Sequence, residues 1–425
     1  MQQTATSDVE TAFNALLKNP AVTKMLAELE ADAARTLAEQ RTLAEIPSPP
    51  FKERRRAEYF LRRFRDLGLA DAAIDPEGNV IALRAGSGRG PRLVVASHLD
   101  SVFAEGTDVT VREADGALHG PGIGDNARGL AVMLSLLRAM QANAVKTVGD
   151  IMWVGSVGEE ELGNLRGVRA LLRDNPHIDG FVAIDGLKVT RIVNQATGSH
   201  RYEMIFSGPG GHSFAAFGLP SPIHAMGRAI AGIADLQTPS EPNPSAPKTT
   251  FTVGTVRGGT SVNAIAKEAR MMVDMRSNSA EALLQLEDRV LAIVQQAVAQ
   301  ENARWRSDKI AVEIKLIGDR PAGMTPPDSA IVATARRAVT AVAPGSAIEF
   351  AASSTDSNLA MSLGIPAVTI GGGGEGGGQH SLNEWYKPTD AHLGPQSALL
   401  TLLTLAGLAG VSDPVLRRRF DRPAR

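Results

Sequence analysis

The sequence predicts an α/β protein: a mainly parallel sheet with helices on both faces, plus an inserted ferredoxin-like βαββαβ domain. Apolar strand-like runs alternate with helical segments from residue 79 to residue 184, the pattern of βαβ units. From residue 198 the order changes to βαββαβ, that of a small ferredoxin-like sandwich. After residue 319 the α/β alternation resumes, so residues 1–197 and 320–425 form one domain and 198–319 lie inserted within it.

Each element follows from local pattern. Residues 21–46 are rich in Ala, Leu and Glu at helical spacing, and Pro47-Ser48-Pro49-Pro50 ends that helix. A second amphipathic helix, 52–67, stops at Gly68. A strand at 79–84 and a turn at 86–91 precede the apolar run Leu93-Val94-Val95-Ala96. Then come helix 127–142, strand 151–157, helix 165–173 and strand 181–184. In the inserted stretch the order is strand 200–207, helix 221–236, strands 249–256 and 268–276, helix 280–300 and strand 310–317. Helix 329–342, strand 365–370 and helix 397–408 complete the chain. No internal repeat is present, and the glycine tract 371–378 is too short for a linker.

Composition excludes several classes of function. At 425 residues the chain can form two or three domains with a substantial core. Its 44 Lys and Arg against 46 Asp and Glu leave a net charge of −2, so neither nucleic acid nor an anionic membrane is implied as a partner. Arg54-Arg55-Arg56 and Arg417-Arg418-Arg419 read as solvated helix faces and a tail. With no cysteine, disulfides, thiolate zinc fingers and Cys nucleophiles are excluded, and any metal must be held by imidazole and carboxylate. Residues 1–10 are polar, unlike a signal peptide, and no run reaches the ~20 apolar residues that span a bilayer, so a cytoplasmic protein is expected.

Several His, Asp and Glu residues stand just beyond strand-like segments, where open α/β sheets gather their reactive groups. His98 and Asp100 follow 93–96, Glu159 and Glu160 follow 151–157, Asp185 follows 181–184, and His380 follows 365–370 across the glycine tract. Alternation puts His98 and Asp100 on one side of a strand, so the carboxylate could accept the imidazole's second N–H. A lone H-x-D is also compatible with a surface histidine. Asp125, in Gly120-Pro121-Gly122-Ile123-Gly124-Asp125-Asn126, reads equally as a helix N-cap or as a ligand approached closely by glycine backbone. Glu159-Glu160-Glu161 could be an acidic helix start, or a ligand beside a general base. The glycine tract lacks the Lys-Ser/Thr ending of a phosphate loop, and no G-x-S-x-G elbow is present.

Together these residues resemble the M20 family of co-catalytic metallopeptidases. The resemblance runs from Ile46-Pro47-Ser48-Pro49 and Glu77-Gly78-Asn79-Val80 to His380-Ser381-Leu382-Asn383-Glu384, with motifs in the family's order. It implies two divalent metal ions, zinc first, with cobalt or manganese fitting the same donors. His98 and Asp185 would bind one ion, Glu160 and His380 the other, and Asp125 would bridge them. Asp100 would support His98, and Glu159 would be the general base for a water held between the ions. Glu161 is a third acid where many relatives show two, and Asp185 resembles the peptidase T-like branch. The inserted domain resembles the family's lid. There His212, in Gly210-Gly211-His212-Ser213, would stabilise the oxyanion in a neighbouring subunit, and Asn263 and Arg276 would bind substrate. A homodimeric peptidase acting on small peptides is therefore expected. An amidohydrolase of N-acyl or N-carbamoyl amino acids is the alternative, and a non-catalytic binding protein on this scaffold the third.

Overall fold

The computed structural model describes residues 2–88, 90–240 and 246–420. The chain divides into two compact units, Met1–Ala196 with Met324–Arg425, and Thr197–Gly323.

In the larger unit, Ala73–Ile74, Val80–Arg84, Asp150–Ser156, Arg92–His98, Gly180–Ile184, Ala367–Ile370 and Arg191–Ala196 lie side by side in that order. The four strands from Asp150–Ser156 to Ala367–Ile370 are mutually parallel, and antiparallel strands flank them. Both faces of the parallel strands are covered, as their near-continuous apolar sequences require. Leu93 and Val95 enter a core shared with helices Ala127–Ala142, Ala330–Val342 and Leu393–Ala406. Their neighbours Val94 and Ala96 point the other way, into a core shared with Arg166–Asp174 and Ser357–Ser362. The predicted α/β class is the observed one.

Two expectations from the sequence differ from the fold. The single helix expected over 21–46 is two helices, Pro20–Ala31 and Ala33–Ala44. Asp32 sits at the break as the cap of both, and its carboxylate is held by Arg138 Nε at 2.9 Å and Thr36 Oγ1 at 3.3 Å. Apolar spacing continues across the break, so periodicity does not reveal it.

Arg56 is not on a solvated face: it is 1% exposed. Four-residue spacing aligns it with buried Phe60 and Phe64 on the inner stripe of helix Arg54–Asp66. Its guanidinium donates to the carbonyl oxygens of Ile46 at 2.7 Å and Leu99 at 2.8 Å.

The glycine tract contributes a strand, Glu375–Gly377, to a small antiparallel sheet with Trp385–Lys387, Ala117–His119 and Arg112–Ala114. Gly374 has φ +93°, and a Cβ there would lie 2.4 Å from the Tyr386 hydroxyl, so only glycine fits.

The smaller unit is a four-stranded antiparallel sheet in the order Thr249–Gly258, Glu268–Ser277, Gly198–Ser207, Ala311–Arg320. Helices Pro222–Ala234 and Ala280–Arg304 complete a βαββαβ fold. Met204, Phe206, Met271, Val273, Val290 and Val294 form its core. Among the described residues, no helix is long and apolar enough to cross a membrane.

Candidate metal centre

Parallel pairing brings the strand ends together, and the predicted acids and histidines leave from those ends. His98 closes Arg92–His98, Asp185 directly follows Gly180–Ile184, and Glu159 and Glu160 lie just past Asp150–Ser156.

Asp125 stands between two histidines. Its Oδ1 is 3.0 Å from His98 Nε2 and its Oδ2 is 3.1 Å from His380 Nε2. The helix cap is the next residue. Asn126 accepts from Gly129 N through its side chain, leaving the Asp125 carboxylate to face the histidines. Asn126 Nδ2 also reaches Ser97 Oγ and the Ile184 carbonyl, both at 3.0 Å, which pins the helix start to two strand ends.

Asp100 is fully buried, and its carboxylate accepts the backbone N–H groups of Glu159 at 3.1 Å and Glu160 at 2.8 Å. His98 Nδ1 is 3.1 Å from the Asp100 main-chain oxygen, closer than the 3.7 Å to its carboxylate. The carboxylate thus fixes the acidic pair, and the backbone carbonyl orients the imidazole, a role sequence alternation had given to the side chain.

Glu160 Oε1 lies 3.3 Å from His380 Nε2, whereas Glu161 is exposed at the start of the turn Glu161–Gly163. His98, Asp125 and Glu160 each offer a ligand atom, all within 4.8 Å of one another. Glu159 is 5% exposed.

The electrostatics reflect crowded acids. Burial disfavours the charged His98 ring, but Asp125, Glu159 and Asp185 outweigh it and hold its pKa well above the ordinary value. His380 is raised to about 10 by hydrogen bonds to Asp125 and Glu160. Burial and the neighbouring Asp125 charge push Asp185 up to about 7. Asp125 itself, despite burial, is held below the usual carboxylate range by His380 and His98. The imidazole nitrogens of His98 and His380 and the carboxylate oxygens of Asp125 and Glu160 converge closely enough for a cation to be held among them. The donor set therefore fits divalent metal.

Neither Glu384 nor buried Arg56 stands out in the sequence as a functional residue. Glu384 is 1% exposed and accepts backbone N–H groups from Gly122 and Gly124 at 2.8 Å and Asp125 at 3.0 Å. Its pKa is raised to about 7 by burial, against the lowering effect of those three amides. Its only sequence signal is its place in the His380–Glu384 motif.

The remaining predicted residues belong to the smaller unit. His212 and Asn263 come together there: Gly211–His212 pairs with Ala264–Ile265, and Ser213 N donates to the Asn263 carbonyl at 2.9 Å. His212 Nδ1 faces the N–H groups of Phe214 and Ala215, both at 3.3 Å. Arg276 is the penultimate residue of strand Glu268–Ser277, where its Nε pairs with Asp274 Oδ2 at 2.8 Å, and Asp274 Oδ1 also takes Arg201 Nε at 2.8 Å.

Two curated relatives align over part of the chain. A protein assigned as a LysW-lysine/LysW-ornithine hydrolase from Thermococcus kodakarensis is 33% identical over 154 residues, 35% of this chain and 40% of the relative. A succinyl-diaminopimelate desuccinylase from Corynebacterium glutamicum is 27% identical over 135 residues, 32% of this chain and 36% of the relative. The chain thus matches well under half the length of these relatives. Solved structures share the fold at greater length. Aminopeptidase PepT from Bacillus cereus has TM-score 0.69 at 21% identity, over 87% of this chain and 97% of that one. A Staphylococcus aureus tripeptidase has TM-score 0.71 at 21% identity over the same shares. The dipeptidase Dug1p from Saccharomyces cerevisiae has TM-score 0.67 at 14% identity, over 90% and 98%. The model of peptidase family M20/M25/M40 matches residues 94–405, most of the chain, including every residue of the centre described above. The chain therefore belongs to peptidase family M20/M25/M40.

Proposed function

We propose that this chain is a dinuclear metal-dependent peptidase that hydrolyses small peptides. The observation that carries the reading is the Asp125 carboxylate, which presents one oxygen to His98 and the other to His380 at 3.0 and 3.1 Å. Such a carboxylate can serve two cations at once. His98 and Asp185 would hold one ion, Glu160 and His380 the other. Oxygen and nitrogen donors without thiolate favour zinc, with cobalt or manganese fitting the same set.

Divalent ions held by these residues would supply Lewis acidity, which lowers the pKa of a water toward neutrality and polarises the substrate carbonyl. Glu159 accepts the proton of that water on its carboxylate and returns it to the leaving amine. Asp100 keeps Glu159 and Glu160 in register through their amides. His212 donates to the oxyanion. Two backbone N–H groups directed at its Nδ1 make that nitrogen the acceptor, which leaves the neutral ring's proton on Nε2. Arg276, its Nε taken by Asp274, offers its outer nitrogens to a substrate carboxylate, and Asn263 binds beside His212. In this reading residues 198–319 act as lid and dimerisation domain, and His212 serves the partner's site in a cytoplasmic homodimer.

The peptide substrate is favoured by the names of the similar solved structures, an aminopeptidase, a tripeptidase and a dipeptidase. A second reading, an amidohydrolase of N-acyl or N-carbamoyl amino acids, is favoured by the desuccinylase relative and by a fold match to a hydantoinase/carbamoylase family amidase. Assay of the zinc-loaded protein on di- and tripeptides, N-acyl and N-carbamoyl amino acids separates the two. Turnover of peptides supports the first, and turnover confined to acyl or carbamoyl compounds overturns it in favour of the second.

A further inference from the structure

The segment from His380 to Glu384 grips Asp125 at both ends. His380 Nε2 meets the Asp125 side chain through Oδ2 at 3.1 Å, and Glu384 Oε1 takes the Asp125 backbone N–H at 3.0 Å. The same Oε1 accepts Gly124 N–H, and Oε2 accepts Gly122 N–H, both at 2.8 Å. Gly120 N donates to the Glu384 main-chain oxygen at 3.0 Å, which closes the loop onto this segment. A buried carboxylate is costly to desolvate unless its lone pairs are filled, and here three amides fill them. In return, those amides fix the backbone that sets the direction of the Asp125 carboxylate. The fit is close: a Cβ on Gly124 would lie 3.1 Å from Glu384 Oε1.

We propose that Glu384 is the positioning residue for Asp125: its buried carboxylate holds the Gly122–Asp125 backbone so that both Asp125 oxygens face their histidines at once. This rests on the reading of Asp125 as the bridging ligand. A carboxylate is needed, and a carboxamide of the same shape does not suffice. Glu384→Gln keeps an acceptor for Gly124 and Asp125 but turns an NH2 group against the Gly122 N–H. Glu384→Ala removes all three acceptors. Gly124→Ala approaches the contact from the other side, pressing a methyl group on Oε1.

The test is calorimetric titration of zinc into chelator-stripped wild type, Glu384→Gln, Glu384→Ala, Gly124→Ala and Asp125→Ala, with the melting temperature of each metal-free protein recorded beside it. Residues that orient ligands typically cost about 10–100-fold in metal affinity when changed. The proposal expects a loss in that range for Glu384→Ala and a smaller one for Glu384→Gln and Gly124→Ala. These losses should persist in variants that melt, metal-free, at the wild-type temperature. Metal affinity unchanged in Glu384→Gln and Gly124→Ala overturns the proposal and leaves Glu384 a structural residue, whether or not Glu384→Ala folds. Unchanged affinity in Asp125→Ala instead overturns the bridging assignment on which the proposal stands.

Discussion

The buried carboxylate of Asp100 accepts the backbone N–H of Glu160 at 2.8 Å. Its other oxygen accepts that of Glu159, so one side chain sets the position of both acids past the strand end. Asp100→Asn supplies one acceptor where two are needed and turns an NH2 group toward the other amide. Activity should fall by about 10–100-fold, as for other residues that orient ligands. Retention of wild-type kcat and metal content in Asp100→Asn would show that the two amides need no such anchor.

The neighbouring acids should separate by phenotype. Glu159→Gln is expected to keep its metal and lose roughly 10²–10⁴-fold in kcat, the typical contribution of a general base. Glu160→Gln is expected to lose metal instead. Elemental analysis beside steady-state kinetics distinguishes them, and metal loss in Glu159→Gln with retention in Glu160→Gln would reverse the roles.

Arg56 and Arg55 adjoin in the sequence and differ in the fold, one buried and the other exposed. Arg56→Met strips the Ile46 and Leu99 carbonyls of a buried donor, and each such loss costs about 1–3 kcal/mol. Arg55→Met should stay within about 0.5 kcal/mol of wild type. Parallel melting curves check the contrast: a drop of several degrees is expected for Arg56→Met alone, and equal melting of the two variants would refute it.

If His212 serves the partner's site, two inactive variants should complement. Mixed dimers of His212→Ala and Glu159→Gln contain one site with both intact groups, and should regain part of the wild-type activity. A fully active monomer in sedimentation experiments would contradict the dimeric reading.

What the sequence discloses depends on whether a feature leaves a local pattern. Strands Arg92–His98, Asp150–Ser156 and Gly180–Ile184 are legible because burial on both faces demands continuous apolar runs. The residues at their ends are therefore legible as a set. Three-residue strands such as Ala117–His119 and Trp385–Lys387 are too short to show a period. The break at Asp32 is hidden because apolar spacing runs through it. Arg56 sits in a charge run that reads as solvated, and its burial is accounted for by the carbonyls of Ala44, Ile46 and Leu99 that accept its guanidinium. Glu384 acts on a loop some 260 residues away in sequence, where no periodicity can connect them.

The central claim, that Asp125 is shared by two cations, is tested most directly by metal content. Wild type and Asp125→Ala, purified alike and analysed for zinc, cobalt and manganese, should differ sharply. Two ions per chain are expected in the wild type and fewer than one in Asp125→Ala, because both sites lose an oxygen ligand together. Asp185→Ala and His380→Ala should each mainly weaken one site. Two tightly held ions per chain in Asp125→Ala would contradict the account.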